Sequence, residues 1–327
     1  MSDDGAALAA RLSERDVAAA PAVLNLLEST APGDRAVSQT LLRELSPAAG
    51  AGEAPGHVIG VTGPPGAGKS MLLAALLRRW RAGRRTVAML AVDPSSRRSG
   101  GALLGDRTRI DFDPADRGVF IRSTAAGARL GGLSRATRTA AQALAYAFDV
   151  VVIETVGVGQ GETEIADVAD TVAVVVQPGG GDVLQFLKAG IMEIPDVLVV
   201  TKADLGALAM RTAREVAAAL RALGSAATPV LTVSSLPPDS GVEELIAAFD
   251  RHRAASDLPA RRAAARRTGA LEDFAREHGE RGLRALGGRH AAEALLAEHD
   301  AGLDTAGLVE ALEQRANLGD APAGDAR

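Results

Sequence analysis

Seven short runs dense in Val, Ile, Leu and Ala, at 58–62, 86–92, 118–122, 149–154, 171–177, 196–201 and 229–233, alternate with longer stretches of helical character. A run such as Asp149-Val150-Val151-Val152-Ile153 offers no polar face, so a strand made from it must be covered on both sides. Strands of this kind separated by helices predict an α/β fold, a doubly wound and mostly parallel sheet that binds its ligand at the carboxyl ends of the strands. A chain of 327 residues holds more than that unit. Residues 1–55 show helical patterning through Leu12, Val17, Leu24 and Leu27, then a small-residue stretch at 47–52 that reads as a linker. Beyond Arg253 the strands stop, and Ala, Leu, Arg and Glu predict two or three helices before a frayed end at 319–327. The expected organisation is an N-terminal helical segment (1–55), the α/β domain (56–253) and a C-terminal helical arm (254–327).

Composition narrows the function. The 47% hydrophobic content rules out a wholly disordered chain. The absence of Cys excludes disulfides, thiolate zinc sites and Cys nucleophiles. A net charge of -5 with 2% aromatic residues argues against nucleic-acid binding, which needs basic excess and stacking rings. Met1-Ser2-Asp3-Asp4 lacks the basic start of a signal peptide, and apolar runs such as 172–176 are far shorter than a bilayer span. The expectation is a soluble, cytoplasmic protein with no membrane partner.

Gly63-Pro64-Pro65-Gly66-Ala67-Gly68-Lys69-Ser70 fits G-x-x-x-x-G-K-[ST] in full, between a predicted strand and a helix opening at Met71. Glycines let the backbone wrap phosphates with its N–H groups, at the positive end of a helix dipole. Lys69 reaches the β- and γ-phosphates, and the Ser70 hydroxyl ligates Mg²⁺. Residues 63–71 are therefore nucleotide-binding candidates. Thr201-Lys202-Ala203-Asp204 ends the sixth run and resembles the N-K-x-D motif that reads guanine, where the Asp carboxylate accepts two hydrogen bonds that adenine cannot supply. The plainer alternative is a polar strand end. Thr stands where Asn is usual, which predicts a weaker loop-bracing contact. Ser234-Ser235-Leu236 ends the next run, at the place of a short motif that meets guanine through backbone N–H groups.

Between these motifs lie Leu90-Ala91-Val92-Asp93-Pro94-Ser95-Ser96, Gly100 to Arg109, Leu130-Gly131-Gly132-Leu133-Ser134, and Glu154-Thr155-Val156-Gly157-Val158-Gly159-Gln160. With them the chain resembles the MeaB/ArgK family of methylmalonyl-CoA-mutase-associated GTPases, a family of P-loop GTPases. Pro178-Gly179-Gly180-Gly181-Asp182 with Gln185, Lys188 and the stretch to Ile194 extends the resemblance. It runs in order from about 57 to 245 and implies a P-loop GTPase domain with Mg²⁺ as cofactor and GTP and GDP as substrate and product. It also implies that Asp93 and Asp106 organise Mg²⁺ and its waters, though Asp93 before Pro94 could be only a turn residue. Glu154 takes the place of the acid that ends the Walker B strand and would hold a metal-bound or attacking water, while Gly157 would give its N–H to the γ-phosphate. The catalytic set is then Lys69, Asp93, Glu154 and Gly157, with Ser70, Asp93, Asp106 and Glu154 toward the metal.

The same resemblance makes 122–134 and 154–160 the first and second switches. Residues 177–188 become a third, with Asp182, Gln185 and Lys188 toward a partner; an ordinary flexible loop is the alternative. Hydrolysis would be in line, and with no arginine finger assigned in the sequence it is expected to be slow alone and faster when a partner reorders the switches. Arg129 and Arg135 read as surface charges rather than an arginine finger. The implied role is a chaperone that gates cofactor loading of an adenosylcobalamin-dependent acyl-CoA mutase, with cobalamin bound by the partner, and a homodimer formed through the arm. A metal-delivering GTPase, a small-molecule kinase and a non-hydrolysing GTP scaffold are the rival readings. Arg261, Arg262, Arg266 and Arg267 read as a solvated helix face or an oligomer contact. His57, His252, His278, His290 and His299 have no metal-ligand spacing, and the stripe Leu283, Leu286, Ala291, Leu295, Leu296 reads as core or dimer packing.

Overall fold

The computed structural model describes residues 2–93, 110, 112–125, 133–155, 164–179, 195–299 and 301–317. Every expected run forms a strand: β1 (His57–Thr62), β2 (Val87–Asp93), β3 (Val119–Ala125), β4 (Val150–Glu154), β5 (Thr171–Val176), β6 (Val197–Val200) and β7 (Val230–Thr232). They make one 7-stranded sheet in the order β3-β2-β4-β1-β5-β6-β7, with each neighbouring pair parallel. The α-helices among the described residues are α1 (Ser2–Ser13), α2 (Ala20–Glu28), α3 (Pro32–Glu44), α4 (Lys69–Ala82) and α5 (Arg135–Leu144). They continue as α6 (Ala207–Ala222), α7 (Val242–Ala255), α8 (Leu258–Ala285), α9 (Arg289–Glu298) and α10 (Thr305–Arg315). None of the described helices is long and apolar enough to cross a membrane.

Successive strand residues point to opposite faces, and both faces are buried. Val58, Val151, Ile153, Val172 and Val174 share one core with Leu12 of α1, Leu24 of α2, Leu41 of α3, Leu144 of α5 and Leu220 of α6. Their neighbours Ile59, Val61, Val150, Val152 and Val175 share the other with Leu72, Leu76 and Trp80 of α4 and with Leu245 and Phe249 of α7. That is why the strands carry no polar alternation. The first three helices are therefore continuous with the sheet's core, and the Tyr146 hydroxyl fastens the chain that follows them by bonding the carbonyls of Leu45 and Gly52.

Helices α8, α9 and α10 close a smaller core of Leu271, Phe274, Leu283, Leu296, Leu308 and Leu312. The long α8 bends at Gly279, whose φ of 58° lies in the left-handed region. Arg261, Arg262 and Arg266 correct the expectation of a solvated face or oligomer contact. Arg262 donates to both carboxylate oxygens of Asp170 and to the carbonyls of Ala54 and Gly56, at 2.6–2.8 Å. Arg261 reaches Asp196 and the carbonyl of Ala169, and Arg266 reaches Glu53 and the carbonyl of Ala301. The basic run is an internal clamp that holds α8 against the amino ends of the strands.

β1 lies at the centre, between β4 and β5, and the chain builds outward from it in both directions. This reversal opens a crevice at the carboxyl ends of β1, β4 and β5.

Candidate functional site

The loop from Gly63 to Gly68 leaves β1 at that crevice and feeds α4. Its glycines have conformational reasons to be there. Gly63 has φ 146°, and a Cβ on it would stand 2.1 Å from the Val175 carbonyl oxygen of β5. Gly66 and Gly68 take φ of 78° and 89°. Ala67 and Lys69 are buried, while Pro65 and Gly66 are exposed. The Lys69 ammonium donates to the carbonyls of Gly63 (2.6 Å) and Pro64 (3.0 Å), so it arches back over the loop. The helix begins at Lys69, two residues before the expected start, which puts Ser70 in its first turn with Met71 exposed beside it.

Strand register carries Glu154 to the same place. It pairs with Val61 of β1 on one side and Ala91 of β2 on the other. One Glu154 carboxylate oxygen stands 3.5 Å from the Ser70 hydroxyl. A hydroxyl and a carboxylate meeting beside a phosphate-type loop are hard oxygen donors, and they fit Mg²⁺. Asp93 ends β2 two residues past Ala91, on the same edge by register. Below the crevice the buried Thr155 hydroxyl donates to the Thr62 hydroxyl (2.9 Å) and fixes the two strand ends at one height. That pair was not anticipated; a Thr ending each of two adjacent apolar runs is its only sequence signal.

The 201–204 motif is built into the phosphate loop. Thr201 is buried, and its hydroxyl donates to the Ala67 carbonyl at 2.6 Å, with the Val176 carbonyl at 3.2 Å. The brace expected to suffer from Thr in place of Asn is therefore made by the Thr hydroxyl. Lys202 adopts φ 54° and lays its ammonium on the Gly66 carbonyl (3.2 Å) and the Gln177 side chain (2.7 Å). Asp204 is exposed, and one of its carboxylate oxygens accepts a hydrogen bond from the Ser234 hydroxyl at 2.9 Å. Ser234 thus orients Asp204 through its side chain, a contact that sequence position alone did not show. The 234–240 loop is pinned by backbone bonds in both directions between Ser234 and Ser240, and it presents half-buried Ser235 and exposed Leu236 at the same edge.

The structure therefore gathers residues 63–71, Glu154, 201–204 and 234–236 at one end of the sheet. Asp106, Gly157, Asp182, Gln185, Lys188 and Arg129 lie outside the described residues, as does the side chain of Asp93. Contacts around these segments also went unforeseen. The Leu133 N–H donates to the Glu164 carboxylate at 2.7 Å, joining the end of the expected first switch to the chain just after the second. Arg135, expected as a surface charge, pairs with the buried Asp273 of α8, and Arg138 bonds both Glu272 and Asp273. Burial, with Glu272 and Glu164 nearby, pushes the Asp167 carboxyl up. The described group of metal-ligand side chains outside the crevice is Glu277, His278 and Glu313, where His278 bonds Glu313 and Arg35 pairs with Glu277.

Comparison with known proteins agrees with this geometry. The sequence profile of the family described as methylmalonyl Co-A mutase-associated GTPase MeaB matches residues 20–283. A Pyrococcus horikoshii protein is 47% identical over 195 residues, 59% of each chain, so this chain spans 59% of that relative's length. A Caulobacter vibrioides protein is 43% identical over 263 residues, covering 78% of this chain and 79% of its own. Both carry the description "Putative GTPase". A crystal structure described as a LAO/AO transport system kinase superposes with a TM-score of 0.64 at 27% identity, covering 95% of this chain and 96% of its own. With an all-parallel P-loop fold and a family match across most of its length, this chain belongs to the MeaB family of methylmalonyl-CoA mutase-associated GTPases.

Proposed function

We propose that this chain binds Mg²⁺–GTP across the crevice, hydrolyses it to GDP and phosphate, and uses that cycle as a chaperone of an adenosylcobalamin-dependent acyl-CoA mutase. The observation that carries the nucleotide reading is the double tie between the two recognition loops: Thr201 to Ala67 and Lys202 to Gly66. These bonds fix the guanine-reading carboxylate at a set distance from the phosphate cradle, so base and phosphates are read together. Loop N–H groups and the Lys69 ammonium hold the phosphate oxygens and stabilise the charge that grows on them as water attacks in line. Ser70, with Asp93 and Glu154 through water, would hold Mg²⁺, which neutralises charge between the β- and γ-phosphates when bound. Asp106 and Gly157 keep the metal and γ-phosphate roles that the family resemblance gave them, and Asp182, Gln185 and Lys188 the contact with the partner.

The mutase partner rests on the family's own description. Cobalamin stays with that partner in this reading, and the chain acts as a cytoplasmic homodimer with the three segments 1–55, 56–253 and 254–327. Turnover is slow alone in this reading because no arginine among the described residues is assigned to the transferring phosphoryl group. A kinase reading has one supporting observation, the likeness to the crystal structure described as a transport system kinase. The test is co-purification with adenosylcobalamin mutases in GTP and in GDP, with phosphate release measured in each mixture. State-dependent binding and faster release support the proposal. Transfer of the γ-phosphoryl group to a small acceptor molecule supports the kinase, and failure to bind any mutase removes the partner assignment.

A further inference from the structure

Lys202 stands where three segments meet. Its backbone lies in the left-handed region, with φ 54°, a conformation that costs a residue carrying a Cβ and persists where contacts hold it. Among the described residues two groups hold its ammonium: the Gly66 carbonyl of the phosphate loop at 3.2 Å and the Gln177 amide oxygen at 2.7 Å. Gln177 arrives there by register. It follows Val176, the last residue of β5, which pairs with Val200 of β6, and the Thr201 N–H donates to the Val176 carbonyl at 3.0 Å. Two residues on, a Cβ placed on Gly179 would stand 3.5 Å from the Leu208 side chain, in the first turn of α6 directly after the 201–204 motif. Both ends of 177–179 therefore lean on the base side of the crevice, Gln177 on Lys202 and Gly179 beside Leu208. The Lys202 stem leads from beside Asp204 to its anchors at Gly66 and Gln177. It thus crosses the floor between the base-reading carboxylate and the phosphate loop, and a planar base seated between those two lies along it.

We propose that Gln177 is a positioning residue of the nucleotide site: by holding the Lys202 ammonium it sets the lysine stem for the base, and through it the stretch 177–179 registers a bound base rather than a third phosphate. The inference rests on the guanine-nucleotide reading of the crevice. The chemistry suits a glutamine. A neutral amide oxygen accepts from the ammonium without cancelling its charge, whereas a carboxylate at 177 would set a negative charge near the phosphates. An apolar side chain there would leave the ammonium with the longer bond to Gly66, whose loop must also shape itself to the phosphates.

The experiment uses the full chain. Gln177→Met keeps the length of the side chain and removes the acceptor. It should weaken GDP by roughly 3- to 10-fold in titration calorimetry, while pyrophosphate, which fills the phosphate loop without a base, binds as it does to the parent. A side chain that merely supported the fold would weaken both. A second measurement needs only the parent. The chain has six Gln, few enough to resolve their side-chain amide signals by NMR after ¹⁵N-glutamine labelling, with Gln177→Glu identifying the signal of Gln177. That signal should move alike on adding GDP and a non-hydrolysable GTP analogue, and stay in place with pyrophosphate. Unchanged GDP affinity in Gln177→Met, or equal weakening of GDP and pyrophosphate, would overturn the proposal. So would a Gln177 signal that moves with pyrophosphate or that differs between GDP and the GTP analogue. Failure of the parent to bind GDP at all would remove the guanine reading itself, and the proposal with it.

Discussion

Replacing Thr201 by Val tests the tie between the two recognition loops with almost no change in shape. The side chain is 2% exposed, and its hydroxyl makes a 2.6 Å bond to Ala67 in the middle of the phosphate loop. Valine fills the same volume but leaves the Ala67 carbonyl without that donor in a site water reaches poorly. Removing one partner of a buried hydrogen bond costs about 1–3 kcal/mol. Were all of it to fall on the binding-competent loop, GDP affinity would drop roughly 5- to 150-fold. Titration calorimetry with GDP gives the affinity, and urea unfolding of the free protein gives whatever share falls on global stability. Thr201→Ser keeps the hydroxyl and loses one methyl, so it should bind GDP within about threefold of the parent while losing roughly 1 kcal/mol of stability. If the Val variant binds GDP as tightly as the parent, or if Ser and Val lose affinity equally, the bond to Ala67 does not organise the loop.

Gly63→Ala should abolish measurable nucleotide binding, because its Cβ meets the Val175 carbonyl oxygen at 2.1 Å; retained GDP binding in calorimetry would contradict that. Arg262→Met leaves the buried Asp170 carboxylate without its partner and should cost about 3–5 kcal/mol in urea unfolding, while the double change with Asp170→Asn recovers much of it. His57 is held down to about 4 by burial, against a smaller opposing pull from Asp170, with Arg253, Asp250 and Arg262 also around it. The unfolded chain takes up this proton near 6.5 and the folded chain only near 4, so stability rises with pH across that window. The native advantage should be full above pH 6.5 and shrink by roughly 3 kcal/mol as the pH falls to 4. His57→Gln should flatten that part of the pH profile, and an unchanged slope would show that other groups carry it.

The fold was legible because its signals are local. Each strand is a short apolar run, since each is buried on both faces, and the two cores alternate residue by residue along β1 and β4. The loop at 63–70 and the 201–204 motif were legible as sequence patterns for a related reason: each is a fixed set of residues at fixed spacing, and the structure brings the two together. Contacts between distant positions were not. Thr201 reaches Ala67 across 134 residues, and nothing in the motif says that a Thr hydroxyl does the work expected of Asn. Arg262 lies 92 residues from Asp170, so in sequence it sits among other arginines and looks solvated. Its real setting depends on where α8 docks, which is a property of the assembled sheet. Ser234 was expected beside Asp204 only through backbone N–H groups, and its side-chain bond to that carboxylate depends on the turn that aims it there.

The central claim is that the crevice reads guanine through Asp204. The direct measurement is competition of GTP, ATP and XTP for one labelled GDP analogue, on the parent chain and on Asp204→Asn. Two hydrogen bonds to a charged acceptor predict that the parent favours GTP over ATP by roughly 10²- to 10⁴-fold. The Asn variant offers a donor where the carboxylate accepted, so it should lose GTP and gain XTP, whose ring carbonyl can accept. ATP competing as well as GTP on the parent, or an unchanged order of preference in Asp204→Asn, would contradict the account.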